Sequence, residues 1–436
     1  MRLVNDNMLQ EICRECSVSD LENCTIGEMV LLRRAAERRG IKFVGMDQGS
    51  PSLPINRIGV KAEQEALEKG FGNTYPAAEG IEPLKKAASR FVKAFLDIDV
   101  SPRSCLPTTG SAAGSFVSFA ACTQRIPGKD KVLFIDPGFP IQKSQLKILG
   151  TGWKSFDIYN YRGAAALEPK LREMLAEGDV AAIVYSNPNN PAWICLNEEE
   201  LEVVGRLATE YDAVVTEDLA YFGMDNRKDL SHPFEAPFVP TVARYTDNWI
   251  LMMTSSKIFS YAGQRIGFIA ISDKLYEKQY PALAQRYNDS GVFGVTLIAS
   301  IAYMVTSGCT TSTQYGYARM LEASCEGEIK FLEDTRAYPE RARAMKDIFL
   351  SHGFHLVYDS DPGAPIGDGF FFSIGYGSLP GGELLREMYC YGMSSINMRS
   401  TGSLRDGVRV CVSPVTEEML PLLEERAAMF EKDHEI

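Results

Sequence analysis

The 436-residue chain reads as an α/β protein, with a three-layer α/β/α large domain around a mainly parallel sheet and a smaller α+β C-terminal domain. Three observations carry this reading. Short, nearly continuous apolar runs recur in the first two thirds, helical patterns lie between them, and the texture changes after about Ser290. A run that is apolar at every position is a strand covered on both faces, as in a parallel sheet. A sheet with one solvated face would alternate instead. Strand, helix and strand in turn call for right-handed crossovers.

The strands are read at Lys131–Ile135 (KVLFI), Val180–Tyr185 (VAAIVY), Ala213–Thr216 (AVVT), Trp249–Thr254 (WILMMT) and Ile266–Ile271 (IGFIAI). The best-signalled helix begins at Asn197, where the amide cap and Glu200 make a capping box and Glu198 and Glu199 complement the positive dipole end. Leu201, Val204 and Leu207 supply its inward stripe. Ser290 to Ala318 carries no charge, but its strongly apolar part, Val292 to Val305, is only 14 residues. A bilayer span needs about 20, so this is read as a buried core helix and no membrane association is expected. Beyond it come a long helical region from Glu322 to His352 and short strands near Leu356, Phe370–Ile374 and Val408–Val412. The last helix is expected to be capped by Thr416 with Glu417 and Glu418, with Leu420, Leu423 and Met429 inward. The division that follows is an N-terminal arm (1–56) packing with the small domain, a large domain (57–296) and a small domain (297–436).

Charge excludes some partners. Lys plus Arg number 45 against 57 for Asp plus Glu, a net charge of −12, the wrong sign for a phosphate-backbone footprint, so nucleic acid is not an expected partner. The opening MRLVNDNMLQEICREC lacks the basic start and uninterrupted apolar core of a secretory signal, which points to the cytoplasm. Most of the ten cysteines stand alone, as free thiols do in a reducing compartment. Cys13 and Cys16 form a C-x-x-C followed by Cys24, but a closed zinc site needs four ligands, and no metal site is expected. His352 and His355 are read as structural.

Five short segments carry chemistry. In TSSKIFSYAGQRIG, Lys257 follows an apolar strand with no other charge before Arg265, a setting that desolvates an amine and prepares it as a nucleophile. Thr254, Ser255, Ser256 and Arg265 surround it with the donors a phosphate requires; the ordinary alternative is a solvated lysine. TTGSAAGSF places Gly110, Ser111 and Ala112 at the start of an apolar helix, where free N–H groups can approach an anion, although small residues also serve tight packing. Asp218 and Tyr221 lie at the end of the AVVT strand, on the carboxyl edge that faces ligands in parallel sheets; the plain alternative is a turn with a capping Asp. SNPNNP (Ser186–Pro191) follows VAAIVY and otherwise reads as a Pro-rich loop, and Arg409 in GVRVCV otherwise reads as an outward edge-strand arginine.

In this order the segments resemble the fold type I pyridoxal-phosphate enzymes, and among them the class I/II aminotransferases, from about Gly49 to the C-terminal helix. The resemblance implies that pyridoxal 5'-phosphate is held by Lys257 as a Schiff base, and that Lys257 then moves the proton. It pairs Asp218 with the pyridine nitrogen, makes Asn190 and Tyr221 donors to the ring oxygen, and stacks Phe139 of DPGFP on the ring. The phosphate would be held at Gly110, Ser111, Ala112, Thr254, Ser256 and Arg265, with Tyr75 of TYPAAEG donated across a homodimer interface. Arg409 would grip the substrate carboxylate, with backbone near Gly49 and Asn190 assisting.

Two departures stand out. Where the family reads N-P-x-G, this chain has Asn190-Pro191-Ala192-Trp193, a bulky ring for a permissive glycine, and Thr254 stands where a serine is usual. The function implied is transfer of an amino group from an α-amino acid to a 2-oxo acid. The alternative is a carbon–sulfur β-lyase or other lyase or decarboxylase of the same fold. A silent cofactor-binding regulator is disfavoured by the intact Lys257, Asp218, Tyr221 and Arg409 set.

Overall fold

The computed structural model describes residues 2–434. In chain order its strands are β1 (Val44–Gly45), β2 (Cys105–Thr108), β3 (Lys131–Asp136), β4 (Trp153–Asp157), β5 (Val180–Ser186), β6 (Val214–Asp218), β7 (Trp249–Thr254), β8 (Gly267–Ile271), β9 (Phe354–Leu356), β10 (Ser360–Asp361), β11 (Ala364–Pro365), β12 (Phe371–Tyr376), β13 (Met393–Ser394), β14 (Ile396–Asn397) and β15 (Val408–Cys411). Seven of them form the main sheet, in the order β2-β8-β7-β6-β5-β3-β4. Only β8 runs against its neighbours, β2 and β7. The other pairs are parallel, so β2 and β7 point the same way as β3 to β6 and their carboxyl ends share one edge.

The apolar runs have the burial they implied. Every residue of β5, β6, β7 and β8 is buried. Alternate residues enter two different cores: Ile183, Val215, Leu251 and Phe268 pack on one face, and Ala182, Val214, Ile250 and Ile269 on the other. That is the three-layer arrangement, built from the period of two along a strand. The two sheet strands absent from the sequence reading explain themselves. β2 has four residues and contains Pro107, and β4 is an edge strand whose first three residues are not buried.

The helix after Asn197 spans Glu198–Glu210. Its capping box is complete, with the Glu200 N–H donating to Asn197 Oδ1 at 2.9 Å and the Asn197 N–H donating to Glu200 Oε2 at 3.0 Å. The uncharged segment folds as a helical stretch from Phe293 to Thr306 that contains a wide π turn, Thr296–Ala302, and buries Phe293, Leu297, Ile298 and Ile301. Among the described residues no helix is long and apolar enough to cross a membrane.

A third core unites the two ends of the chain. Helices Asp6–Glu15 and Ile26–Arg38 bury Leu9, Ile12, Met29 and Leu32 with the small antiparallel sheet β14-β15-β12-β9 and with Leu423 and Phe430. β1 pairs in parallel with β13 and ties the arm to that unit. The helical region after Glu322 is not continuous: it is divided into Thr311–Cys325, Phe331–Thr335 and Ala337–Ser351. Tyr317, Met320, Leu321 and Phe331 lie in the main-sheet core, whereas Ala342, Met345 and Phe349 lie in the small one, so the packing changes hands near residue 340. Thr416 forms no side-chain cap. A 3₁₀ turn, Glu417–Met419, leads into the last helix, Leu420–Asp433, which buries Leu423 but leaves Leu420 and Met429 only partly covered. His352 sits between Glu431 and Glu424 at 2.7 and 2.8 Å, a surface ion-pair position.

Candidate active site

The carboxyl edge of the main sheet collects the sequence motifs. β5 delivers the Asn187–Leu196 loop, β6 ends at Asp218, and β7 ends at Thr254 just before Lys257, with Ser186 opposite Asp218 in register. The helix Ser111–Gln124 starts on the same edge, after β2.

Asp218 is 5 % exposed and accepts from the Ala220 N–H and from Gln142 Nε2, each at 3.1 Å. Both donors are neutral, and among the described residues the carboxylate has no ion pair. Burial pushes its pKa up to about 6, against the opposing pull of those two hydrogen bonds. Gln142 carries no sequence signal beyond its place in the first turn of the helix Pro140–Leu149, which follows β3 on this edge.

Lys257 Nζ donates to the Gly49 carbonyl and lies 5.4 Å from the Phe370 ring and 5.9 Å from the Tyr221 ring. Its pKa is lowered to about 8, chiefly by burial and further by Arg409 and Arg265. At about pH 7 roughly a tenth of such an amine is unprotonated, against about one part in three thousand for a free lysine.

Gly110 precedes the helix at φ +85°, and a Cβ there would lie 2.6 Å from Arg265 Nη2, so the guanidinium rests in the space a side chain would take. Arg265 has no acidic partner among the described residues; it donates to the Ala262 carbonyl at 2.8 Å and the Thr109 carbonyl at 3.5 Å. The Gly110 N–H is engaged by the Thr108 carbonyl at 2.8 Å, which leaves Ser111 and Ala112 as the forward N–H groups of the helix. Thr254 and Ser256 share a hydroxyl–hydroxyl bond of 2.8 Å beside them. Phe139 caps the helix Pro140–Leu149 and is half-buried, with no ring partner among the described residues.

Arg409 lies on β15, 1 % exposed, with its guanidinium 4.8 Å from the Phe371 ring. Nη1 donates to Asn190 Oδ1 at 3.3 Å, Nη2 donates to the Asp47 carbonyl, and Nε has no partner. No carboxylate pairs with it among the described residues, and burial lowers its pKa. The acceptor is Asp47 rather than Gly49, whose carbonyl is taken by Lys257. Because Asn190 Oδ1 faces Arg409, its amide NH₂ faces away from Arg409. Tyr221 is buried among Phe370, Phe371 and Trp193, with ring centroids 5.4, 5.2 and 5.6 Å away. Tyr75 stands apart at 87 % exposure. The aromatic wall escaped the sequence reading because FFSIGY is indistinguishable from an ordinary buried strand.

These groups fit pyridoxal phosphate on their own chemistry. A buried carboxylate with only neutral donors suits a protonated ring nitrogen, a desolvated amine suits an aldehyde, and a helix start opened by Gly110 beside an arginine with no acidic partner among the described residues suits a phosphate.

The family model "Aminotransferase class I and II" matches residues 41–421. Glutamate-pyruvate aminotransferase AlaC of Escherichia coli is 28 % identical over 278 residues, 62 % of this chain and 63 % of that protein. An aspartate aminotransferase of Pyrococcus horikoshii is 24 % identical over 248 residues, 57 % of this chain and 60 % of that one. The matched segments thus span less than two thirds of these relatives. Among solved structures, alanine aminotransferase from Pyrococcus furiosus superposes with a TM-score of 0.74 at 19 % identity, covering 96 % of this chain and 99 % of that one, a likeness of fold.

Proposed function

From the premise that the chain belongs to aminotransferase class I and II, we propose that it is a pyridoxal-phosphate-dependent enzyme that transfers an amino group from an α-amino acid to a 2-oxo acid. One observation carries this most directly: a desolvated lysine and a buried arginine without an acidic partner among the described residues meet one aromatic cluster, Tyr221, Phe370 and Phe371, with a buried carboxylate on the same sheet edge as the lysine. Pyridoxal phosphate, when bound, supplies an aldehyde for amine attachment and an electron-withdrawing ring.

The chain's own residues supply the rest. Lys257 Nζ, near neutrality in its pKa, holds and returns a proton at the cleft centre. Asp218 presents the charge for a protonated ring nitrogen, with Gln142 and the Ala220 N–H fixing its oxygens. The Asn190 amide and the Tyr221 hydroxyl would be donors for the ring oxygen, and Phe139 would cover a ring face. Ser111, Ala112, Thr254, Ser256 and Arg265 hold the phosphate, with Gly110 keeping the approach open. Arg409 takes the substrate carboxylate through its fork, with Asn190 and the 47–49 backbone alongside. Phe370 and Phe371 exclude water from both cations.

The same reading makes the protein a cytoplasmic homodimer with Tyr75 reaching the partner's cofactor site. The 87 % exposure of this aromatic side chain and the exposure of Met304 and Val305 support a covered face there, and free cysteines suit a reducing compartment. In the division into an arm (1–56), a large unit (57–296) and a small unit (297–436), we assign the helix Thr311–Cys325 to the large unit, because its buried residues lie in that core.

Mixing the protein with single amino acids and no oxo acid tests the reaction. One 2-oxo acid released per site, with stoichiometric conversion of the cofactor to its amine form, is expected. Continuous ammonia and pyruvate would establish a lyase instead.

A further inference from the structure

The residue that breaks the family pattern has a counterpart elsewhere in the chain. Trp193 occupies a left-handed backbone position, φ +62°, where a glycine costs nothing and an indole is strained. Its side chain is fully buried, and its Nε1–H has no partner among the described residues. Two costs thus fall on one residue in a loop that also carries Asn190.

The indole is seated on Gly369. A Cβ at Gly369 would lie 1.9 Å from Trp193 Cε2 and 2.1 Å from Cζ2, so any side chain there would overlap the ring. Gly369 leads directly into Phe370 and β12, whose Ser373 pairs with Arg409 in register. The other side of the indole meets Tyr221 edge-on at 5.6 Å. One ring therefore spans the main-sheet loop, the Tyr221 loop and the entry to the small sheet. It does so beside the 3.3 Å Asn190–Arg409 bond that joins the same two units.

We propose that Trp193 and Gly369 form a fitted pair that sets the distance between the Tyr221 side of the site and the Phe370–Phe371–Arg409 side, so that Trp193 is a positioning residue for substrate and cofactor. The inference rests on the function proposed above for what the site binds. Trp193 touches no reacting group. It acts through Tyr221, whose ring it meets and whose hydroxyl would donate to the ring oxygen in the function proposed above, and through β12, whose Ser373 pairs with Arg409.

A double-mutant cycle tests it on the holoenzyme, with Gly369→Ala made in the wild type and in a Trp193→Gly background. Two quantities are read: KM against kcat for the amino donor, and the pH midpoint of the bound cofactor's visible band. In the wild-type background Gly369→Ala is expected to raise KM about tenfold with a smaller change in kcat, and to move the band midpoint. In the Trp193→Gly background the same change should move neither beyond about twofold, because the overlapping ring is gone. Equal effects in both backgrounds would overturn the proposal. Should Gly369→Ala fail to fold, Trp193→Phe keeps a ring against Tyr221 and removes the orphaned N–H. A KM and band midpoint unchanged in that variant would overturn it as well. The midpoint and the near-ultraviolet circular dichroism of the cofactor-free protein need no turnover. A wild type that shows the coupling but transfers no amino group would therefore count against the aminotransfer reading alone, and an active wild type with additive effects against the pairing alone.

Discussion

The two ends of the cleft hold their charges by different means. At the main-sheet end, Asp218 and Lys257 sit on adjacent strand ends, β6 and β7, and the helix start that faces Arg265 follows β2 on the same edge. Their spacing is fixed by one hydrogen-bonded sheet. At the other end, Arg409 belongs to a small sheet with its own core, and its polar contacts outside that sheet are Asn190 Oδ1 and the Asp47 carbonyl. On the proposed function, the contrast teaches that chemistry and recognition would have separate mechanical supports. Changes at the first end should alter what the site does to a bound molecule, and changes at the second should alter how firmly it is held.

Lys257→Ala is the largest test of that separation. Turnover should fall by about 10⁴-fold or more, while the fold and carboxylate binding at Arg409 persist; unimpaired turnover would remove Lys257 from the site. Arg409→Gln should raise KM for the amino donor by about 10³-fold, as expected when a buried ion pair loses one member, with a smaller change in kcat. A loss confined to kcat would erase the distinction between the two ends.

Glu217, one residue before Asp218, sharpens the comparison from inside the core. It accepts from Thr241 Oγ1 at 2.6 Å, Tyr185 Oη at 3.1 Å and the Val242 N–H at 3.3 Å, yet burial pushes its pKa up to about 7. A carboxyl whose pKa is raised on folding contributes stability that is fully present below its unfolded value and lost as pH rises through the folded one. Glu217→Gln should therefore flatten the decline in stability between about pH 4 and pH 8 by about 3 kcal/mol, read from denaturant midpoints across that range. An unchanged slope would mean that the carboxylate is not desolvated. The smallest effect is expected at Tyr75. Tyr75→Ala should change stability by no more than about 0.5 kcal/mol, because the side chain is exposed within one chain, while cofactor loss on dialysis becomes measurably faster. Unaltered retention would exclude the proposed reach of Tyr75 into a neighbouring subunit's site.

The separation also governs what could be read in the sequence. At the main-sheet end Asp218 and Lys257 are legible because each follows a strand whose apolar run marks it, AVVT and WILMMT. Gln142 is not, since an amide in the first turn of a polar helix has no pattern of its own. Trp193 reads as a departure, but its partner has no signal of its own: the fit with Gly369 joins residues 176 positions apart and depends on tertiary packing within the main-sheet core. The same physics hid β2 and β4, whose short or edge positions weaken the apolar signal, and the π turn at Thr296–Ala302, which uses residues any core helix would use.

Lys257 and Arg409 each donate to a main-chain carbonyl on one stretch, Gly49 for Lys257 and Asp47 for Arg409. A carbonyl is contributed by the route of the backbone, whatever the side chain, so this part of the site is indifferent to most point mutations and sensitive to chain length. Drift at position 47 can replace the aspartate without removing its carbonyl, at the expense of the 3.3 Å contact with Arg33 and of a nearby negative charge that favours the charged form of Arg409. Position 49 is narrower, because a Cβ there would come within 3.0 Å of Phe371 Cζ. Inserting or deleting a single residue between the two would put both carbonyls out of register at once, so that in descendants of this chain gaps should be rarer across 47–49 than changes of residue at 47.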